Sequence, residues 1–496
     1  MKLFERVSAD HAIIVVVVAI VICTRIISFV YLSSLASGNP DAYPYPVVSG
    51  DSSYYARWAN SLLTLHAYQD VPGVPLRVAP PGYPALLAGI KAVTGSMTPI
   101  VLVQILFTAL AATLIYRMAR TLVSAPYASI PAFVYVIDPI AIFADTAILT
   151  DGLFSALLVC IVYLAFFQSR LRGALRWGLV GLLLGIATMI RPIGEFLIFV
   201  FPAVYLFREW MHGPGEDGSR LKAVGAFVVG CVLVLTPWMV RNQIYFGSFE
   251  ISRLGAHNLL LYDVRGFLVW RALAETPTPL PAILVLRHAN DPVFAMIDRD
   301  IAKALTSITP PGGNRESYEG QLAVRYIMRD PIRYAYFHAV NTIPFFISSS
   351  VASYGQIARQ LRDNEGFYAP AMVSLLDTLR NIRHPESFGS FANAVWSITP
   401  IAMEVFWWLL VALMALTALV LRRRNFTILL CVILVVYFAA LTGPMSASRY
   451  RIPAEPYLLI LAAVGFSEVV RRAKEKMRAR TAAHASLNEA SLTRPI

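Results

Sequence analysis

The sequence predicts an all-α polytopic membrane protein, a bundle of about 10–12 transmembrane helices with two large outer segments. Three observations predict it. Of the 496 residues, 57% are hydrophobic and only 15% are charged, where a soluble chain carries about 25% charge; the mean hydropathy is +0.61. Apolar runs of ~20 residues recur from end to end, and each can cross ~30 Å of hydrocarbon. The runs are continuous rather than alternating, so helices and not a closed barrel satisfy the backbone in lipid.

Taken in order, spans are expected at ~11–34, ~98–119, ~125–144, ~148–168, ~175–191, ~194–210, ~222–240, ~398–421, ~426–443 and ~452–470. The first has no small-residue cleavage site behind it and reads as a retained span. Positive charge orients the set. Lys2, Arg6, Arg117, Arg120, Arg170, Arg172, Arg176, Arg208, Arg220, Lys222, Arg422, Arg423, Arg424 and the tail RRAKEKMRAR share one side if the N-terminus is cytoplasmic. Ten spans return the C-terminus to that side.

The chain then divides into an N-terminal transmembrane module (1–240) with a first outer loop at 35–97, a large outer segment (241–397), C-terminal helices (398–470) and a basic cytoplasmic tail (471–496). Within the outer segment, an apolar stretch at 336–352 is expected as a re-entrant or bundle-packed helix, because one more crossing would break the parity. The net charge of +12 is read as cytoplasmic anchoring and affinity for anionic membrane lipids, with no nucleic-acid partner. Cys23, Cys160, Cys231 and Cys431 all fall in apolar runs, so no disulfide framework is expected. The eight histidines are scattered without metal-binding spacing.

This orientation strands ionisable groups at the outer face, where short loops usually avoid arginine. They are Asp51, Asp145, Asp151, Arg191, Glu195, Arg241, Arg449 and Arg451. Charge near the bilayer is costly and often functional. Carboxylates and arginines converging on one face suit an anionic lipid headgroup and a proton transfer. Plainer readings stand beside these. Asp51 and Asp151 are each placed to start a helix. Arg191 reads as the partner of Glu195, and Arg241 as a snorkelling anchor. Tyr54, Tyr55, Trp58 and Tyr68 read as interfacial belt residues.

Four stretches go further. Asp51 is followed by a Tyr-rich helix and VAPPGYPAL; ADTAILTDGLF surrounds Asp151; TPWMVRNQIYFG contains Arg241 and Asn242; SRYRIPAEP contains Arg449, Tyr450 and Arg451. In this order they resemble the bacterial GT-C membrane glycosyltransferases, in the branch related to protein O-mannosyltransferases and the lipid A aminoarabinose transferase. The resemblance covers about 11–260 and 400–470. It departs where relatives carry a second acidic residue after Asp51, here Ser52, and a Lys before the Pro-Pro pair, here Ala79 with Arg77 two residues earlier.

The resemblance implies a GT-C-like bundle and an inverting transferase fed by a polyprenyl-phosphate sugar donor. The acceptor would be a glycan, lipid or protein. Asp51 would be the base, with Asp151 orienting it, binding sugar hydroxyls or sharing a divalent cation; no other cofactor is implied. Arg77, Arg241, Arg449 and Arg451 would meet the donor phosphate. Tyr54, Tyr55, Pro80, Pro81, Tyr83, Asn242 and Tyr450 would position the loop or touch substrate. Two other classes share parts of the pattern. A transporter or flippase of lipid-linked sugars shares the spans and outer arginines, but favours charge at the bilayer midplane. A membrane-anchored scaffold leaves the carboxylates and arginines unexplained.

Overall fold

In the computed structural model the described residues are mostly helical. The structure describes residues 2–39, 43–48, 50–168, 170–213, 219–276, 282, 292–310, 315–363, 391–422 and 425–492. The N-terminal module comprises α1 (Lys2–Ser37), α2 (Asp51–Thr64), α3 (Gly82–Thr94), α4 (Ile100–Arg120), α5 (Ala125–Ile137), α6 (Pro139–Thr146), α7 (Asp151–Phe166), α8 (Gly173–Ile190), α9 (Leu197–His212) and α10 (Arg220–Phe246). The outer segment follows with α11 (Leu254–Asn258), a π-helical turn (Leu259–Val264), α12 (Arg265–Ala274), α13 (Pro292–Ile308), α14 (Glu319–Arg329), α15 (Pro331–Ile347) and α16 (Ser350–Asp363). The chain closes with α17 (Phe391–Arg422), α18 (Phe426–Thr442), α19 (Ser448–Arg451) and α20 (Glu455–Leu492). Arg423, Arg424 and most of the outer segment's Pro/Gly clusters lie outside the described residues.

The all-α class holds with one addition in the first outer loop. There β1 (Gln69–Val71) and β2 (Val74–Pro75) pair antiparallel. Their turn is Pro72-Gly73, and Gly73 takes φ +83, which glycine adopts without a Cβ penalty.

Among the described residues, α1, α4, α8, α10, α17 and α18 each contain a stretch long and apolar enough to cross a bilayer. The pair α5–α6 makes a seventh crossing, bent by 56°. The bend follows from Pro139, which cannot continue the hydrogen-bond ladder; Asp138 instead caps α6, accepting from the Ile140 and Ala141 amides at 3.0 Å. α7, α9 and the apolar start of α20 lie where the other three of the ten expected spans fall, and α7 is a shorter apolar helix of 16 residues. Both α7 and α9 have 16 residues, roughly 24 Å of helix.

Close packing sets how these helices deliver their ends. On α8, Gly178, Gly181 and Gly185 face α10, and a Cβ on Gly181 would lie 2.0 Å from the Phe227 carbonyl oxygen. Small residues permit that approach, and van der Waals contact then holds the pair. The outer ends of α8 and α10 lead into Arg191 and carry Arg241.

The main core joins α4, α5, α7, α8, α18 and α20. A separate core, including Leu260, Phe267, Phe294, Ile297 and Phe337, holds the outer segment. The apolar stretch expected at 336–352 is split. α15 ends at Ile347, and Glu404 of α17 accepts from the Ser350 amide at 2.6 Å and the Val351 amide at 3.0 Å. That carboxylate starts α16, and α15 packs on the bundle against α17, α18 and α19.

Candidate functional site

Asp51 is the first residue of α2. Gly50 precedes it at φ 79, ψ −135, a conformation suited to glycine. The Asp51 side chain caps nothing, so the plain N-cap reading fails: the helix start is held by Ser52, whose Oγ accepts the Val48 amide at 3.0 Å, and by Ser53, whose Oγ donates to the Gly50 carbonyl at 2.8 Å. The carboxylate is free for another partner, and its side chain is 52% exposed.

That partner is Arg449. Its Nη2 lies 2.8 Å from Asp51 Oδ2 and 2.8 Å from Asp151 Oδ2, and its Nε donates to Asp151 Oδ2 at 3.0 Å. Asp151 is fully buried at the start of α7, where the helix dipole favours a negative charge. Its other oxygen is paired with Arg191. Two carboxylates and two arginines thus form one chain: Asp51, Arg449, Asp151, Arg191. Burial works against the Arg449 charge, and the two carboxylates more than offset that, so its pKa lies above the usual arginine value.

Each member is placed by its own scaffold. Gly152 matters at the Asp151 end: a Cβ there would lie 2.1 Å from Asp145 Oδ1. Asp145 cannot retreat, because Arg25 of α1 holds it in a buried ion pair at 3.0 Å. Gln104 of α4 ties down the same turn, donating to the Asp145 carbonyl at 2.8 Å and the Ala147 carbonyl at 3.0 Å, while accepting from the Tyr83 hydroxyl at 2.8 Å. Ser155 Oγ donates to the Ile452 carbonyl at 3.0 Å, which binds α7 to the turn carrying Arg449.

Aromatic rings line the approach. Tyr55 packs edge-on against Tyr83 at 5.2 Å and Trp58 at 5.8 Å; burial and the neighbouring Asp51 push its phenol up to about 12. Trp58 packs on Tyr68, and Tyr68 on Trp238. Tyr68 also donates to the carbonyls of Ala79 and Pro80 at 3.1 and 3.3 Å, which holds the Pro80-Pro81 turn against this wall. Tyr54 is exposed and stacks on Trp58. Tyr450 is electrostatically coupled to Arg449 and Asp51, and burial raises its phenol.

The four arginines expected at a donor phosphate do not converge. Arg449 lies between the two carboxylates. Arg451 is fully buried on the other side of the same turn. It donates to the carbonyls of Phe345 and Ser348 at 3.3 and 3.1 Å and to Ser350 Oγ at 3.1 Å, and it lies 3.7 Å from the centre of the Trp408 ring. Arg77 is buried and paired with Glu316 of the outer segment. Arg241 donates to the Leu76 carbonyl at 2.6 Å and to Asn242 Oδ1 at 2.9 Å, over the rings of Trp238, Tyr245 and Phe246. Arg77 and Arg241 share Phe246, so they form a second cationic group beyond the aromatic wall. Asn242 closes the end of α10 by donating to the Glu250 carbonyl at 2.9 Å.

Two sequence expectations are corrected. Arg191 pairs with Asp151 and not with Glu195, because its backbone leaves helical geometry after α8 (φ −143, ψ 113) and turns the side chain toward α7. Asp145 faces inward to Arg25 rather than outward. Arg25 was missed altogether; the available signal was a lone arginine inside the first apolar run. Among the described residues no group of three or more His, Cys, Asp or Glu is placed to hold a metal ion. Between Asp51 and Asp151 the bridging group is Arg449.

Residues 78–240 match the family described as dolichyl-phosphate-mannose-protein mannosyltransferase. No curated protein matches the chain in sequence. Among solved structures, the chain aligns with ArnT from Cupriavidus metallidurans bound to undecaprenyl phosphate, at 13% identity and TM-score 0.37, covering 92% of this chain and 78% of that one. The apo state of the same protein aligns at 15% identity and TM-score 0.34, covering 91% and 77%. The matched stretch, residues 78–240, carries Asp151 and Arg191.

Proposed function

We propose that this protein is an inverting transferase that moves a sugar from a polyprenyl-phosphate donor to an acceptor hydroxyl or amine at the outer face of a bacterial inner membrane, with both termini cytoplasmic. The observation that carries the reading is a half-exposed carboxylate, Asp51, hydrogen-bonded to an arginine that is itself anchored on a buried second carboxylate. An exposed base next to an anchored cation suits displacement at a carbon bearing a phosphate.

The acceptor oxygen or nitrogen attacks the anomeric carbon, and the bond from that carbon to the phosphate oxygen breaks. The nucleophile's proton passes to Asp51. The electron pair leaves on the polyprenyl phosphate, whose growing charge is met by Arg449. Phosphate leaves without prior protonation, so no general acid is needed. One displacement inverts the anomeric configuration. The positive flank at the opposite ends of the helices supports the orientation, and the exposed apolar faces of α1 and α10 offer the prenyl chain a lipid-facing path.

The test is transfer by purified wild type and Asp51→Asn, with a pool of polyprenyl-phosphate sugars and a membrane-glycan extract. Transfer by wild type alone supports the class and the base together. Transfer by both removes Asp51 as the base. Transfer by neither, with lipid-linked sugar flipping in vesicles, replaces the transferase with a flippase.

A further inference from the structure

The four-membered chain of charges is uneven. Its inner part is buried: the Asp151 side chain is 0% exposed, that of Arg191 12% and that of Arg449 15%. Its outer end, Asp51, is 52% exposed. Arg449 reaches Asp151 through both Nε and Nη2 but reaches Asp51 through Nη2 alone. Removing a partner from a buried charge is expensive, whereas a half-exposed ion pair is weak and readily replaced.

Arg191 changes what Arg449 can do. With Arg449 as its only cation, Asp151 would hold that guanidinium as a buried salt bridge, and Arg449 would have little freedom to turn outward. With Arg191 on its other oxygen, Asp151 stays compensated while Arg449 is shared. The other ionisable groups coupled to this set are the phenols of Tyr55, Tyr83 and Tyr450, and none adds a competing charge at neutral pH.

We infer that Arg191 is a positioning residue that keeps Arg449 shareable, and that the Arg449–Asp51 contact is exchangeable: the donor phosphate takes Nη2 of Arg449 and thereby releases Asp51 to act as base. This rests on the transferase reading and deepens it. Without donor, Asp51 is masked by a cation. With donor, the same cation is on the phosphate, so the base is unmasked only where there is a sugar to transfer. Water gains no activated site in the empty enzyme.

The test is binding rather than turnover. Farnesyl phosphate, with farnesol as the uncharged control, is titrated calorimetrically into the purified protein in detergent. Asp51→Asn removes the competitor for Nη2 and is expected to tighten farnesyl phosphate binding about two- to fivefold, the size of a half-exposed ion pair, while transfer is lost. Arg191→Gln is expected to weaken binding on the order of tenfold, because Asp151 then captures Arg449, and Arg191→Lys recovers most of it. A purely structural role for Arg191 would lower thermal stability without this opposition of sign. Unchanged or weaker binding in Asp51→Asn, with wild type binding normally, overturns the exchange and leaves the transferase reading intact. Wild type that binds farnesyl phosphate no better than farnesol and transfers no sugar overturns the reading beneath it.

Discussion

Arg449 and Arg451 are two residues apart in one short turn, and they look alike in sequence. In the fold they belong to different regions. Arg449 turns toward Asp51 and Asp151 at the opening of the bundle. Arg451 turns the other way, into a pocket closed by the end of α15, the start of α16 and Trp408. One has carboxylates and a path to solvent. The other hydrogen-bonds carbonyls and a hydroxyl beneath a ring, with no exposure, and meets the buried Asp138 and Glu455 carboxylates only across space. A cation on carboxylates at an opening can trade partners, while a cation satisfying buried carbonyls is architecture.

The largest expected effect is on the Arg449 side. Asp51→Asn should lower transfer by about 10²–10⁴-fold, the range for loss of a general base, with the melting temperature unchanged in detergent. Arg449→Ala should cost transfer about 10²-fold or more with little loss of stability, since Arg191 still holds Asp151. Arg451→Ala should do the reverse. It strands buried carbonyls and should cost roughly 2–3 kcal/mol, seen as a lower melting temperature and poorer yield. Equal melting temperatures for the two alanine variants would break the contrast.

Gly152→Ala sharpens the same contrast without touching a charge. The added methyl meets Asp145, which Arg25 holds, so α7 has to shift at its first turn. Transfer should fall about tenfold, a typical consequence of misplacing a catalytic group by a fraction of an ångström. Full activity would mean that the Asp151 end tolerates movement.

The smallest effect compares two buried carboxylates. Asp151 has two arginines. Asp263, in the outer segment, has no hydrogen bond or ion pair to its carboxylate among the described residues, and burial pushes its pKa up to about 8. The folded state therefore holds that proton more tightly than the unfolded chain. Its contribution to stability is fully present below the ordinary aspartate range, near pH 4, and is lost as pH rises toward about 8. Asp263→Asn should stabilise the protein by an amount that grows across this window, read as a melting-temperature difference that widens with pH. A constant difference would mean that Asp263 ionises freely.

Much of this was legible from the chain, for identifiable reasons. Hydropathy marks the helices because lipid leaves the backbone no alternative. Asp51, Asp151 and Arg449 stood out because charge at the ends of apolar runs is costly enough to need an explanation. Arg191 was visible but assigned to Glu195, its neighbour across Pro192. The backbone leaves helical geometry at Arg191 and turns the side chain to Asp151 of α7 instead. Arg77 and Arg451 carried the same signal as Arg449 and went elsewhere.

The sequence by itself determined the all-α polytopic class, because this follows from local composition against a solvent of fixed thickness. Only the tertiary structure decided which cation meets which carboxylate. Asp51, Asp151, Arg191 and Arg449 come from four parts of the chain, and their meeting depends on how closely glycine-bearing helices approach and where each helix stops. Those are properties of packed surfaces, and a residue's type and neighbours in the chain do not encode them.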